Sequence, residues 1–267
     1  MEKEVQHLLF FLSLAMKRIF IISFFIITGI LSSYSFEFKN EDLHYVVSYK
    51  WGLIHKESGE ATLFLRNNGQ FYDIKLVGKT KPWADRIYQI RDTLEGRINK
   101  NNFRPVYYIK TAHEKDKYGK DIINYTYEGG KVTGEVSRLR KDKKGNVTSN
   151  TSTMLTATGK VFDMLSIFYY LRSVDYMTLT KGSEFKTSMF SGSKVEELTV
   201  KCEGIEKVKL YDKTEAEAYH IKFHFTTEGK KKSSEDIDTW ISTDSRHIPL
   251  LIIGSLPVGQ VRCYYVN

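Results

Sequence analysis

With 267 residues, a formal net charge of +8 and two cysteines, the chain is long for one domain but normal for a single β-rich one. Two cysteines exclude a disulfide framework; Cys202 and Cys263 read either as one bridge or as two buried thiols. The basic excess is spread, and its clusters at Lys141, Lys143 and Lys144 and at Lys230, Lys231 and Lys232 precede turn-forming residues. They read as solvated hairpin tips, with attraction to anionic headgroups or glycans as the alternative.

Residues 1–35 carry the layout of a secretory signal peptide. Met16, Lys17 and Arg18 give a basic start, Ile19 to Leu31 is an apolar run, and Ser33 and Ser35 put small residues where a signal peptidase reads. Cleavage is expected between Ser35 and Phe36, with Met16 as the start and residues 1–15 as an extension ahead of it. A membrane span needs about 20 apolar residues, and lengthening this run back to Leu8 would place Lys17 and Arg18 mid-membrane. No cysteine lies near the cleavage point, so a lipid anchor is not expected. The expected product is one exported β-rich domain, 36–267, of charge about +7 once residues 1–35 are gone. Nucleic acid is not an expected partner for an exported protein.

From Leu43 onward the dominant period is two. Tyr45, Val47, Tyr49 and Trp51 share one face, and "EATLFLRNNGQFYDIKLVG" (60–78) reads as strand, Asn-Asn-Gly turn, strand. Residues 79–104 admit two readings: a short helix opened by Pro82 and running to Ile90, or two strands around a turn. The mostly extended reading is adopted. Residues 121–154 give further strands, broken at Gly129-Gly130 and at Lys144-Gly145-Asn146, and five more strand-like runs follow between 194 and 266. Short strands at this spacing, with 17 Tyr, 16 Phe and only four Pro, specify an antiparallel, mainly β domain.

One segment breaks the pattern. In "KVFDMLSIFYYLRSVDYM" (160–177) the apolar residues crowd without alternation. A helix over 161–172 would be apolar nearly all round, with Asp163, Ser166 and Tyr170 as a narrow polar stripe, and such a helix must be buried on most sides. The natural host is the concave face of a curved sheet or an open or half barrel. The helix is then a core plug or a lid over an apolar ligand, with Phe162, Leu165, Phe168, Tyr169 and Trp240 as candidate ligand-binding residues.

Two motifs carry a resemblance. Asp163, Leu165, Ser166, Tyr169, Tyr170 and Arg172 form an Asp-x-Leu-Ser…Tyr-Tyr-x-Arg segment. Trp240, Ser242, Asp244, Arg246, Ile248 and Pro249 form Trp-x-Ser-x-Asp-x-Arg-x-Ile-Pro. With the opening "LHYVVSYKWGLIHKESGEATLFL", these resemble the exported Gram-negative family catalogued as domain of unknown function 3108. The resemblance implies a periplasmic or outer-membrane-peripheral location and no established activity, and gives Asp163, Arg172, Asp244 and Arg246 the standing of motif residues. More loosely, the chain's end is similar to the last hairpin of periplasmic lipoprotein-carrier half-barrels, which hold helices over an apolar concavity.

Catalytic and metal chemistry find little footing. His220 and His224 lie on a strand, about 13 Å apart at about 3.3 Å per residue, too far to share one ion. Asp244 and His247 could do acid–base work, but no nucleophile or oxyanion donor accompanies them, and a turn held by Asp244 is the expected role. Asp163 and Arg172, nine residues apart, would stand about 13 Å apart on a helix; each is expected to meet a cradling strand instead. No cofactor motif is present. Asn124, Asn146 and Asn150 open glycosylation triplets, relevant only in a eukaryotic source. The expected function is therefore a non-enzymatic envelope protein that binds a lipid or acyl chain. The alternative is a structural or partner-binding subunit of an envelope or polysaccharide-export system, with a solid core. Peripheral membrane contact and an envelope protein partner are compatible with both.

Overall fold

A computed structural model describes residues 36–227, 236–255 and 259–266. The signal-peptide segment and the Lys230–Lys232 cluster lie outside the described residues. Within the unit Glu37–Asn267 the strands are β1 (Glu41–Trp51), β2 (Ile54–Asn68), β3 (Phe71–Thr80), β4 (Ile90–Asn99), β5 (Pro105–Glu114), β6 (Lys117–Glu128), β7 (Lys131–Lys141) and β8 (Val147–Thr158). There follow β9 (Val161–Phe162), β10 (Glu184–Ser191), β11 (Lys194–Lys209), β12 (Glu215–Thr227), β13 (Ile237–Ser242), β14 (Pro249–Ser255) and β15 (Gln260–Val266). Two helices, α1 (Pro82–Tyr88) and α2 (Ser166–Arg172), and a 3-10 turn at Tyr176–Thr178 interrupt them.

All these strands join one sheet in the order β8-β7-β6-β5-β4-β3-β2-β1-β15-β14-β13-β12-β11-β10-β9. Two antiparallel meanders, β1 to β8 and β10 to β15, are stitched where β15 lies antiparallel to β1, Tyr45 opposite Tyr265. Only β9 pairs in parallel, against Ser188 and Met189 of β10. The first and last strands of the sheet, β8 and β9, are neighbours in sequence, so the sheet curls into a nearly closed, mainly β barrel.

Side chains bring the two sides of the remaining gap together. Tyr125 of β6 stacks on Phe190 of β10, centroids 5.7 Å apart and rings 6° from parallel. Gly134 of β7 makes room for this contact: a Cβ there would stand 2.5 Å from Phe190 Cδ2. Alternation places the core inside, as on β6, where Ile123 and Tyr125 are buried while Asn124 and Thr126 are exposed.

Residues 79–104 combine features of both sequence readings. Pro82–Tyr88 is helical, which corrects the mostly extended expectation, and β4 follows from Ile90. Pro82 sits in the first turn, where its missing N–H costs nothing. Asp85 is gripped by Arg91 at 2.7 Å, and Trp83 Nε1 donates to the Glu57 carbonyl at 2.7 Å. The buried helix is likewise shorter than 161–172, because Val161 and Phe162 are taken into the sheet and α2 begins at Ser166. The two cysteines are free thiols, Cys202 buried and Cys263 partly so; burial pushes the Cys263 thiol up to about 11.

Candidate functional site

The inside of the barrel is the candidate site, and its two halves differ. One half is filled by the segment 161–176. Val161, Phe162, Leu165, Tyr169 and Tyr176 are each 2% exposed or less. Phe162 stacks on Tyr170 at 4.5 Å, Tyr169 meets Phe38 edge-on at 5.3 Å, and Tyr176 stacks on Tyr219 at 5.1 Å.

Two buried charged groups fix this plug. Asp163, 2% exposed, begins the helix. Its Oδ1 accepts from the backbone N–H groups of Leu165 (2.9 Å) and Ser166 (2.8 Å), while the Ser166 hydroxyl accepts from Asp163 N at 2.9 Å. This is a reciprocal cap, and it explains why the helix cannot reach back to Val161. The Tyr125 hydroxyl faces Asp163 Oδ2 at 3.4 Å. Burial pushes the Asp163 carboxyl up to about 6, opposed by the Ser166 and Leu165 N–H groups. Burial, and then the Asp163 charge, push up the phenols of Tyr108, Tyr125 and Tyr127.

Arg172 closes the other end of α2. Its side chain is fully buried and pairs with Glu41 of β1, with Nη2 to Oε2 at 3.2 Å. Nε donates to the His247 carbonyl at 3.1 Å and Nη2 to the Arg246 carbonyl at 2.9 Å, with the guanidinium 4.5 Å over Phe38. His247 Nδ1 lies 2.8 Å from the Arg172 carbonyl oxygen.

The turn that presents those carbonyls is built by the second motif. The Ser242 hydroxyl donates to Asp244 at 2.8 Å and accepts from Ile248 N at 2.8 Å, and Asp244 also receives Arg246 Nη2 at 3.1 Å. His247 adopts a left-handed φ of 44° within it. The two sequence motifs thus form a single latch between plug and wall. Asp244 is engaged in holding that turn, and the His247 ring in tying it to Arg172.

The other half of the interior stays open as a cavity of about 470 Å3. Tyr108, Ile123, Phe190 and Met164, the last 52% exposed at the tip of the plug, supply an apolar floor. Toward the β5–β6 and β7–β8 hairpins the same inward faces become charged. Val132, Gly134 and Val136 on β7 are buried, but Arg138 and Arg140 come next at the same period, and Ile123 on β6 is followed by Asp121.

Asp121 accepts from Arg140 at 2.6 and 3.0 Å and from Arg138 at 3.3 Å. Two guanidiniums therefore share one carboxylate. Five cations, Lys110, Lys117, Arg138, Arg140 and Lys194, face three carboxylates, Glu114, Asp121 and Glu196. The Tyr108 hydroxyl is buried with no hydrogen-bond partner among the described residues.

Of the residues singled out from sequence as ligand-binding, Phe162, Leu165 and Tyr169 lie together in the plug, packed against the protein itself, and Phe168 beside them is half-buried. Trp240 is elsewhere. It stacks on His220 (4.5 Å, 11°) and its indole N–H donates to Glu206 at 2.6 Å. His220 also meets Asp238 at 2.7 Å, and His224 has its own carboxylate, Asp236, at 3.4 Å. Sequence reasoning missed Glu41, the Tyr108–Tyr125–Tyr127 cluster and the Arg138–Arg140–Asp121 rim. The rim had a signal: the period-two run Val132, Gly134, Val136, Arg138, Arg140 turns cationic without changing face.

These features define a plugged, β-barrel-like protein. The family model described as a protein of unknown function, DUF3108, matches residues 44–265, and the chain belongs to that family. Among solved structures it is similar to a β-barrel-like protein of domain of unknown function DUF1849 from Brucella abortus. The two are 8% identical, with a TM-score of 0.57 over 85% of this chain and 96% of that one. At that identity the likeness is one of fold. No curated protein matches the chain.

Proposed function

We propose that this protein is a non-enzymatic binding protein of the Gram-negative cell envelope, exported to the periplasm or the outer-membrane periphery. In this reading the open half of its barrel takes an amphipathic molecule with an anionic head, such as a fatty acid or lysophospholipid. The observation that carries this is the join of an apolar floor to a rim where two guanidiniums share one carboxylate, in a single cavity of about 470 Å3. Ligand pockets span about 300–1,000 Å3, and an arginine short of carboxylate favours a planar anion. The alkyl chain would lie against Tyr108, Ile123, Phe190 and Met164, with the head at Arg138 and Arg140. Native mass spectrometry of the chain purified from envelopes should find one bound lipid per chain. Titration with palmitate should weaken at least about tenfold in Arg140→Glu, the loss of one charge-assisted contact. Unchanged palmitate affinity in that variant contradicts the reading.

A second observation favours the partner-binding alternative. β8 ends the sheet with twelve residues that include neither charge nor proline, and Val147–Ser152 are exposed throughout. Natural edge strands are usually blunted by Lys or Pro, so this one suits addition of an extended strand from an envelope partner. Tyr264 and Tyr108 are 8% and 4% exposed and offer no aromatic contact to such a partner, whereas Tyr107 is half-buried. Thr151→Pro should abolish any partner complex recovered after cross-linking in intact envelopes, and a complex untouched by that change would end the strand-addition reading.

A further inference from the structure

On the outside of the barrel the long β11–β12 hairpin bends at Gly204, where a bulge shifts the register between Cys202 and Gly204 and the glycine adopts a φ of 101°. Beyond the bend its tip folds back over the strands β13, β14, β15 and β1. Tyr211 at the tip bonds to Glu57 of β2 and tilts against Tyr264 of β15 at 6.1 Å. Between tip and sheet lies a cleft of about 530 Å3 with Val208, Leu251, Trp240, Tyr211 and Tyr264 on its walls.

Arg262 sits in this cleft with its charge poorly met. Its Nε is buried and has no hydrogen-bond partner among the described residues. Among the described residues its other two nitrogens reach only neutral oxygens, those of Tyr264 and Gln260, both at 3.4 Å. The carboxylates in or next to the cleft are engaged by other groups. Glu206 accepts from Trp240 at 2.6 Å and meets His220 at 3.2 Å, and Glu57 is held by Lys81 and Tyr211. A buried, unsatisfied guanidinium donor costs free energy unless an acceptor arrives.

We propose that this cleft is a second binding site, separate from the barrel interior, for an oxyanion carried on a flat aromatic ring: an aryl carboxylate or aryl phosphate. The oxyanion takes the fork of Arg262, and the ring lies among Trp240, Tyr211 and Tyr264, where aromatic walls bind flat apolar surface. Arg is the side chain suited to such a planar acceptor, since its donors are fixed in one plane.

Calorimetric titration of the full chain with benzoate, phenyl phosphate, inorganic phosphate and benzyl alcohol tests this. Benzoate and phenyl phosphate should each saturate one site per chain with a Kd of about 1 mM or tighter. Inorganic phosphate and benzyl alcohol should each bind at least about tenfold more weakly, having lost ring or charge. Arg262→Gln should weaken benzoate at least about tenfold and leave the thermal midpoint essentially unmoved, because no carboxylate loses a partner. Arg140→Gln, in the interior, should leave the Arg262-dependent part of benzoate binding in place, and a loss equal to that in Arg262→Gln overturns the proposal. Equal benzoate affinity in Arg262→Gln, equal binding of benzyl alcohol, or no saturable heat with either aryl anion overturns the proposal. If Arg262→Gln does not fold, Tyr211→Ala decides. It removes one wall without touching Arg262 and should still weaken benzoate several-fold, and unchanged affinity there overturns the site.

Discussion

The two halves of the barrel interior are lined by the same strands yet are completed differently. In the plugged half the two buried charged groups are matched within the fold: Arg172 by Glu41 and two carbonyls, Asp163 by two N–H groups and a tyrosine. In the open half Arg138 and Arg140 share Asp121, and Tyr108 keeps an unmet hydroxyl. Among the described residues unmet hydroxyls occur on both sides, Tyr45 beside Arg172 and Tyr108 in the cavity. The contrast therefore lies in the charges: matched in the plug, two guanidiniums to one carboxylate beside the apolar floor. Substitutions should therefore register as lost stability in one half and as lost binding in the other.

The largest effect falls on the latch. Arg172→Ala strands Glu41 and two carbonyl oxygens and should cost about 3–5 kcal/mol of unfolding free energy, read from urea denaturation. A loss under about 1 kcal/mol would mean that the latch does not hold the plug. Gly134→Val comes next. With a Cβ already 2.5 Å from Phe190, the larger side chain must push β7 and β10 apart at about 1–3 kcal/mol. Amide exchange in β10 should then rise relative to β2.

A comparable effect concerns pH. Asp163 holds its proton up to about 6 in the fold but ionises near 3.8 when unfolded. The folded state therefore binds the extra proton between those values. Its contribution favours folding below about pH 4 and is lost as pH rises through about 6. Relative to Asp163→Asn, the wild-type chain should lose roughly 2–3 kcal/mol between pH 4 and pH 7. Parallel stability curves for the two proteins would contradict the burial of this carboxyl. The smallest effect should come from the open half: Arg140→Gln breaks a partly exposed ion pair and should change stability by about 1 kcal/mol or less, while palmitate binding weakens.

The strands and the site of the plug were legible for a simple reason. A strand with one wet face alternates, and 160–177 does not alternate, so the departure itself marked the segment that lies inside. The helix start was misplaced because the Asp163–Ser166 cap competes with strand pairing at Val161 and Phe162, and pairing to β10 is a long-range contact with no local signature. Glu41 could not be assigned to Arg172 for the same reason, being 131 residues distant. The cationic rim was written into β7, but reading it requires following one face of a strand past the end of its apolar run. Trp240 stands among the candidate ligand contacts with the helix residues, yet Arg246 and His247 are the residues of its motif's turn that reach Arg172, while the indole stacks on His220.

The most direct measurement is methionine-methyl NMR of the chain during palmitate titration. Met164 stands at the tip of the plug in the open cavity, whereas Met177, 86% exposed, does not line it. A saturable shift of the Met164 methyl, with Met177 unmoved and the response lost in Arg140→Glu, is the predicted result. A Met164 signal that stays fixed while palmitate binds, or that moves equally in Arg140→Glu, would contradict a ligand seated between the apolar floor and the guanidinium rim.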